Sequence, residues 1–181
     1  MLEMPRSGGA RDLRWSTALW RGSIPELDEV ADWLTRNQPA HFSPGLMHGD
    51  YHLANVMFRN DGPELVAMVD WELATIGDPL IDMGSIMATW PGSDGRSISD
   101  VHISPWDGFP TADELMEHYA SHSTRDTSNL HWYGVLGCYK LGIILEGTYA
   151  RACAGAADNA TGDRLHTSCI KLFQRAARLI A

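Results

Sequence analysis

The segment richest in reactive side chains is LMHGDYHLANVMF, residues 46–58, which holds two histidines, one aspartate and one asparagine between apolar residues. A second aspartate, Asp70, follows Asn55 by fifteen residues. Carboxylate and amide oxygens suit Mg²⁺, whereas zinc sites usually draw on histidine nitrogen and cysteine sulfur. If the fold brings Asp50, Asn55 and Asp70 together, these residues are therefore a candidate magnesium site.

The histidines support a weaker zinc hypothesis. His48 and His52 are four residues apart, but they lie in a predicted loop and not on a helix. His118 and His122 form Glu-His-x-x-x-His, which differs from the His-Glu-x-x-His pattern of zinc hydrolases. For His48 we expect hydrogen bonds that orient the loop, and for His52 a structural and a chemical role both stay open.

A predicted β-hairpin brings the oxygen-bearing side chains together. Two apolar runs, NVMFR and LVAMVDW, are separated by the turn-forming residues NDGPE. In antiparallel strands Asn55, at the start of the first, lies opposite the end of the second, where Asp70 stands. Asp50 precedes Asn55 by only five residues and should lie at the same end of the hairpin. A lone aspartate at a strand end is usually turn chemistry, so this shared placement carries the argument.

The N-terminal third of the chain contains a weakly patterned lead-in and one predicted helix. Residues 1–22 are polar and glycine-containing, which is typical of a mobile segment. Ser23, with Glu26 three residues on, predicts a capping-box start for a helix that ends at residues 37–39, Asn-Gln-Pro. The loop-forming stretch 91–110 is long enough for either a substrate loop or a disordered one.

Helices are predicted to dominate the C-terminal half. Thr111 with Glu114 predicts a second capping box, and the apolar spacing predicts two longer helices over about residues 130–154 and 163–180. With the hairpin, this pattern predicts an α+β fold that is mainly helical.

The composition indicates one soluble domain with a single core. The chain has 181 residues, of which 44% are hydrophobic and 20% charged, and a formal net charge of -9, which argues against a nucleic-acid partner. Cys138, Cys153 and Cys169 have no paired spacing, so we expect buried free thiols in a reducing compartment. Because no apolar leader or uninterrupted apolar span occurs, we predict a cytoplasmic protein that does not interact with membranes.

Two motifs carry a family resemblance. HGDYHLAN, residues 48–55, resembles the catalytic loop of aminoglycoside phosphotransferase-like kinases, a relative of the protein-kinase H-R-D-x-x-x-x-N. VDWELATIGDPLIDMG, residues 69–84, resembles their metal-binding segment, and KLGIILEGTYARACAG, residues 140–155, resembles the subgroup associated with acyl-CoA dehydrogenases. The resemblance implies that residues 23–181 form the C-terminal lobe of a protein kinase-like fold, with the hairpin carrying the metal site.

The resemblance also implies a role for each polar residue. Asp50 would accept or orient the proton of a substrate hydroxyl, and Asn55 with Asp70 would hold Mg²⁺ against the phosphates of ATP or GTP. Asp82 would brace the catalytic loop by accepting backbone hydrogen bonds, and Asp78 would shape the turn before it. The implied reaction is transfer of the γ-phosphate to a small-molecule hydroxyl substrate, whose identity the sequence does not specify.

One part of the expected nucleotide site has no counterpart in the sequence. Kinases of this type also have an N-terminal lobe with a phosphate-covering loop and a strand lysine, but Gly8-Gly9 is no G-x-G-x-x-G and Lys140 and Lys171 lie in predicted helices. We therefore expect the N-terminal nucleotide lobe to be absent from this chain. A separate N-terminal lobe or a homodimer partner would then complete the site. The alternative hypothesis is a truncated, non-catalytic binding or assembly module.

Overall fold

The computed structural model describes residues 24–92, 97–98 and 108–181. The helices and strands of these residues are α1 (Leu27–Arg36), β1 (Gly45–Met47), β2 (Val56–Phe58), β3 (Leu65–Met68), β4 (Thr75–Gly77), α2 (Leu80–Thr89), α3 (Ala112–His122), α4 (Leu130–Cys153) and α5 (Asn159–Ile180). The fold is mainly helical with small antiparallel sheets, as predicted. The predicted lead-in 1–22 and most of the loop 91–110 lie outside the described residues.

The predicted hairpin is confirmed, and a second ladder accompanies it. β2 pairs antiparallel with β3, with Val56 opposite Met68, and an irregularity follows Met57. β1 pairs antiparallel with β4, with Met47 opposite Thr75. The sequence did not predict this second sheet, because three-residue strands are too short to show an alternating pattern.

The described residues separate into two compact units, where the sequence predicted one core. The first unit runs through Gln38 and resumes at Tyr139–Ala181, and the second is Pro39–Cys138. All the candidate site residues lie in the second unit.

The core of the second unit holds α2 in place. It is formed by buried side chains of α2, α3 and the start of α4, namely Leu80, Met83, Ile86, Trp90, Met116, Leu130 and Tyr133. Gly84 of α2 lies so close to the backbone of Tyr133 that a side chain there would clash. This close approach of two helix backbones fixes the position of Asp82, which lies on α2 between two core residues of the helix.

The first unit is built from α1, α5 and the rest of α4. α1 packs on α5 and buries Val30 and Leu34. Tyr139 of α4 meets Phe173 of α5 edge to face, with ring centroids 5.7 Å apart. Glu146 is also buried here, 2% exposed, and accepts a 2.8 Å hydrogen bond from His166. Burial and the neighbouring Glu146 carboxylate raise the pKa of the Cys169 thiol.

The helix termini agree only in part with those predicted from the sequence. The capping box of Thr111 and Glu114 is confirmed. The predicted capping-box start is wrong, because α1 begins at Leu27 and its N-cap is Glu26, which has a left-handed backbone with φ 60°. Ser23 itself lies outside the described residues. α5 begins at Asn159, four residues earlier than predicted, because the Asp158 side chain caps it.

Two further expectations can be compared with the described residues. Cys138 and Cys169 are buried free thiols as predicted, but Cys153 is exposed, because it lies at the C-terminal end of α4. Among the helices of the described residues, none is both long enough and apolar enough to cross a membrane.

Candidate active site

Two short antiparallel strand pairs flank the segments that form the site. Residues 48–55 connect β1 to β2, and residues 69–74 connect β3 to β4. Because β1 pairs with β4 and β2 pairs with β3, the two connecting segments begin and end beside each other. The backbone N–H of Val69 donates to the carbonyl of Asn55 at 3.0 Å and extends the hairpin ladder into the site. The fold thus brings the two predicted motifs together.

Asp82 holds the backbone of the loop that carries Asp50. Its two carboxylate oxygens accept hydrogen bonds from the backbone N–H groups of His48, at 2.6 Å, and Gly49, at 2.9 Å. Gly49 has φ 88°, and a Cβ there would lie 2.5 Å from the Leu73 carbonyl oxygen. Only glycine fits this conformation and this close approach. Both hydrogen bonds that the predicted bracing role requires are therefore present.

His48 is a buried structural residue in this loop. Its ring is 3% exposed and contacts the Trp71 ring at a centroid distance of 4.6 Å. Nδ1 faces the backbone N–H of Asp50, which can only donate, so the neutral ring carries its proton on Nε2 and donates it to the Val69 carbonyl at 2.8 Å. The ring connects both site segments, which agrees with the orienting role expected from the sequence.

Asn55 and Asp50 are joined directly. The Asn55 Nδ2 amide donates to the Asp50 backbone carbonyl at 2.9 Å, which directs the Asn55 carbonyl oxygen away from that contact. Asn55 is 8% exposed, so its orientation is fixed by packing as well. The Asp50 side chain is 50% exposed and can reach a molecule in solution.

Asp70 lies at the hairpin end beside Asn55, as predicted. It has a left-handed backbone with φ 67°, and its exposed side chain does not cap the 3₁₀ turn Trp71–Leu73 that follows. A non-glycine residue in this conformation carries strain, which is concentrated at functional sites in proteins. The exposed carboxylate can contact a molecule in solution.

The remaining predicted residue, Asp78, has a structural role. It is 7% exposed, accepts a hydrogen bond from the backbone N–H of Leu80 at 3.1 Å and accepts another from the Tyr133 hydroxyl. Burial and this carboxylate raise the pKa of Tyr133. Asp78 therefore links the start of α2 to α4, in agreement with its expected role in shaping the turn.

The pattern for a zinc site is not met in the described residues. No group of three or more His, Cys, Asp or Glu side chains in these ranges is placed to hold a metal ion. The rings of His118 and His122 are tilted by 30° at a centroid distance of 4.2 Å, and His122 Nδ1 donates to the His118 carbonyl at 2.8 Å. The candidate magnesium set is of another type, with two carboxylates and one carboxamide.

A cavity that the sequence did not reveal adjoins the loop. Its volume is about 570 Å³, and Tyr51, the residue after Asp50, forms part of its wall. Burial, followed by the charge of Asp82, raises the pKa of the Tyr51 hydroxyl. The only signal in the sequence was the position of Tyr51 beside Asp50, since the other walls come from distant segments.

The sequence pattern of the phosphotransferase enzyme family, APH, matches residues 6–115. The chain belongs to this family. Two similar proteins are the rat acyl-CoA dehydrogenase family member 11, 32% identical over 151 residues, and the mouse acyl-CoA dehydrogenase family member 10, 31% identical over 147 residues. These alignments cover 81% and 78% of this chain but only 19% and 14% of the relatives. The chain therefore spans less than a fifth of the length of these relatives.

A solved structure has the same fold. It is a candidate aminoglycoside phosphotransferase from Ralstonia eutropha, with a TM-score of 0.75 and 25% sequence identity. The match covers 93% of this chain and 54% of that protein. Family and fold both agree with the resemblance found in the two motifs.

Proposed function

We propose that this chain carries the catalytic lobe of a Mg²⁺-dependent phosphotransferase that moves the γ-phosphate of ATP or GTP to a hydroxyl of a small molecule. The observation that supports this most directly is the joining of the two motif segments. Val69 N–H bonds to the Asn55 carbonyl, and the Asn55 amide bonds to the Asp50 carbonyl, so the backbone segments that carry Asp50, Asn55 and Asp70 meet at one end of the hairpin.

The donor set fits magnesium. Asn55 and Asp70 would hold the ion, since the Asn55 amide nitrogen is already committed to a backbone carbonyl and the Asp70 side chain is exposed. Hard oxygen ligands in small number leave room for water and phosphate oxygens, as Mg²⁺ requires. When bound, the ion would supply positive charge against the phosphates.

Asp50 is the residue placed to handle the proton. Asp82 and His48 accept hydrogen bonds from the backbone on its N-terminal side, and Asn55 donates to its carbonyl, so these contacts restrain the loop that would present the side chain to a hydroxyl proton. Phosphoryl transfer depends mainly on positioning and electrostatic stabilisation. The hydrogen bonds of this loop would position the Asp50 carboxylate.

The cavity beside Tyr51 favours an acceptor that is not a polycation. Among the residues that the structure describes, apolar side chains line it together with basic ones, and none of these is Asp or Glu. The lining residues are Tyr51, Met83, Ile86, Leu115, His118, Tyr119, His122, Ser123, Thr124 and Arg125. An aminoglycoside carries several positive charges and would meet no carboxylate among these described lining residues. We therefore propose a neutral or anionic hydroxyl compound with an apolar body.

The experiment is a phosphate-transfer screen. The chain, alone and fused to the part of the Ralstonia protein that it does not match, is incubated with labelled ATP or GTP, Mg²⁺ and panels of hydroxylated acids, sugars and aminoglycosides. We expect the isolated chain to bind Mg²⁺-nucleotide weakly and the fusion to transfer phosphate to acids or sugars in preference to aminoglycosides.

Variants then test the site. Asp50→Asn and Asp70→Asn should each reduce transfer at least about 100-fold, because each removes a group that acts in the transition state. Asp61→Asn, an exposed change in the hairpin turn, is the control. Full activity of Asp50→Asn would remove Asp50 from the catalytic role, and tight ATP binding by the isolated chain would contradict the need for further residues.

A second candidate function is a binding or assembly module without catalysis. The two sheets expose several large apolar side chains, namely Leu46, Met57, Phe58, Leu65, Val66, Met68 and Ile76. Exposed apolar groups clustered on neighbouring strands often mark interaction surfaces. Self-association in sedimentation experiments, without transfer to any acceptor in the fusion, would favour this function. A clean monomer that transfers phosphate would exclude it.

A further inference from the structure

His52, whose role the sequence left open, makes two contacts with opposite ends of its ring. Nδ1 accepts a hydrogen bond from the backbone N–H of Ala54 at 3.2 Å, so the side chain caps the 3₁₀ turn Leu53–Asn55. Nε2 lies 3.5 Å from Oδ2 of Asp50. The ring thus lies between the turn that carries Asn55 and the carboxylate assigned to proton transfer.

These contacts decide which nitrogen of the neutral ring carries the proton. The backbone N–H of Ala54 can only donate, so Nδ1 must present a lone pair and the proton must be on Nε2. Nε2 also lies 3.4 Å from the Asn55 amide nitrogen, but that nitrogen only donates and cannot accept the Nε2 proton. The acceptor facing the Nε2 proton is therefore Asp50 Oδ2.

We propose that His52 is a positioning residue that holds Oδ2 of Asp50 and leaves Oδ1 to accept the hydroxyl proton of the substrate. This inference rests on the proposed function. The separation of 3.5 Å is longer than an ordinary hydrogen bond. Catalytic contacts are commonly long before substrate binds and shorten in the complex, and the half-exposed Asp50 side chain has room to turn toward the ring.

Two substitutions separate the cap from the carboxylate contact. His52→Asn keeps an oxygen that can cap Ala54 but is too short to reach Asp50. His52→Gln keeps an amide donor at about the distance of Nε2 but is a poor cap. We expect His52→Asn to fold normally and to lower kcat about tenfold to a hundredfold, with the KM for nucleotide changed by less than about threefold. His52→Gln should retain kcat within about threefold of the wild type. An unchanged kcat in His52→Asn would overturn the proposal.

A measurement that needs no substrate tests the same contact. Long-range ¹⁵N–¹H spectra of the chain at about pH 8.5, where imidazole is ordinarily neutral, report the tautomer of each histidine. We expect the Nε2–H tautomer at His52, a changed Nε2 chemical shift in Asp50→Ala, and no change in Asp61→Ala. An Nδ1–H tautomer, or an unchanged spectrum of His52 in Asp50→Ala, would refute the contact.

The kinetic and the spectroscopic experiments distinguish failure of the proposed function from failure of the proposed role of His52. If the wild-type fusion transfers no phosphate to any acceptor, the proposed function fails, while the spectra still decide whether His52 holds Asp50. If transfer occurs and His52→Asn matches the wild type, the proposed function stands and the role of His52 falls.

Discussion

Replacing Asp82 by alanine should release the backbone of the loop that carries Asp50. The carboxylate accepts hydrogen bonds from His48 N–H at 2.6 Å and Gly49 N–H at 2.9 Å, and both donors belong to buried residues. A hydrogen bond to a charged group contributes about 1.5–3 kcal/mol. Two such bonds give an upper limit of about 6 kcal/mol, and partial exposure of Asp82 together with relaxation of the loop reduces this to about 2–4 kcal/mol.

Two measurements check this prediction. Urea unfolding gives the free energy, and amide hydrogen exchange reports whether the N–H groups of His48 and Gly49 lose their protection. The matched control is Glu117→Ala, which removes an exposed carboxylate in the middle of α3 and should change the free energy of unfolding by less than about 0.5 kcal/mol. Asp82→Asn should fall between, because an amide offers one acceptor where the carboxylate offers two. If Asp82→Ala unfolds like the control and both amides stay protected, the bracing role is wrong.

Two further predictions concern stability. His166→Ala should lower the free energy of unfolding by about 3 kcal/mol, because it leaves the Glu146 carboxylate, 2% exposed, without its 2.8 Å partner. Adding Glu146→Leu should recover much of this loss, as measured by urea unfolding. If the double variant shows no recovery, the loss does not come from burying the Glu146 carboxylate without a partner. The hydrogen bond from Thr161 N–H lowers the pKa of Asp158, so its contribution is fully present above the unfolded-state pKa of about 3.9 and is lost as pH falls through the lower folded-state pKa. Asp158→Asn should therefore flatten the acid side of the stability profile, and identical pH slopes for the variant and the wild type would refute this.

The hairpin could be predicted from the sequence because the residues that specify it are neighbours along the chain. Two apolar runs and the breaker NDGPE between them specify strands and turn, and the register follows from the turn, with Val56 opposite Met68. The Thr111–Glu114 cap was readable for the same reason, since both hydrogen bonds lie within three residues. The cap of α1 was not, because Glu26 adopts a left-handed conformation that its residue type does not favour.

The sequence alone determined the family resemblance and the residue types of the candidate site. Two motifs supply the oxygen-bearing residues for which we propose a magnesium site, and one hairpin brings the two motif segments together. The tertiary structure decided how these residues are held. The β1–β4 ladder and the reach of Asp82 over 33 and 34 residues to Gly49 and His48 depend on contacts between distant segments. Such contacts depend on how helices and strands pack, so the local sequence pattern cannot predict them.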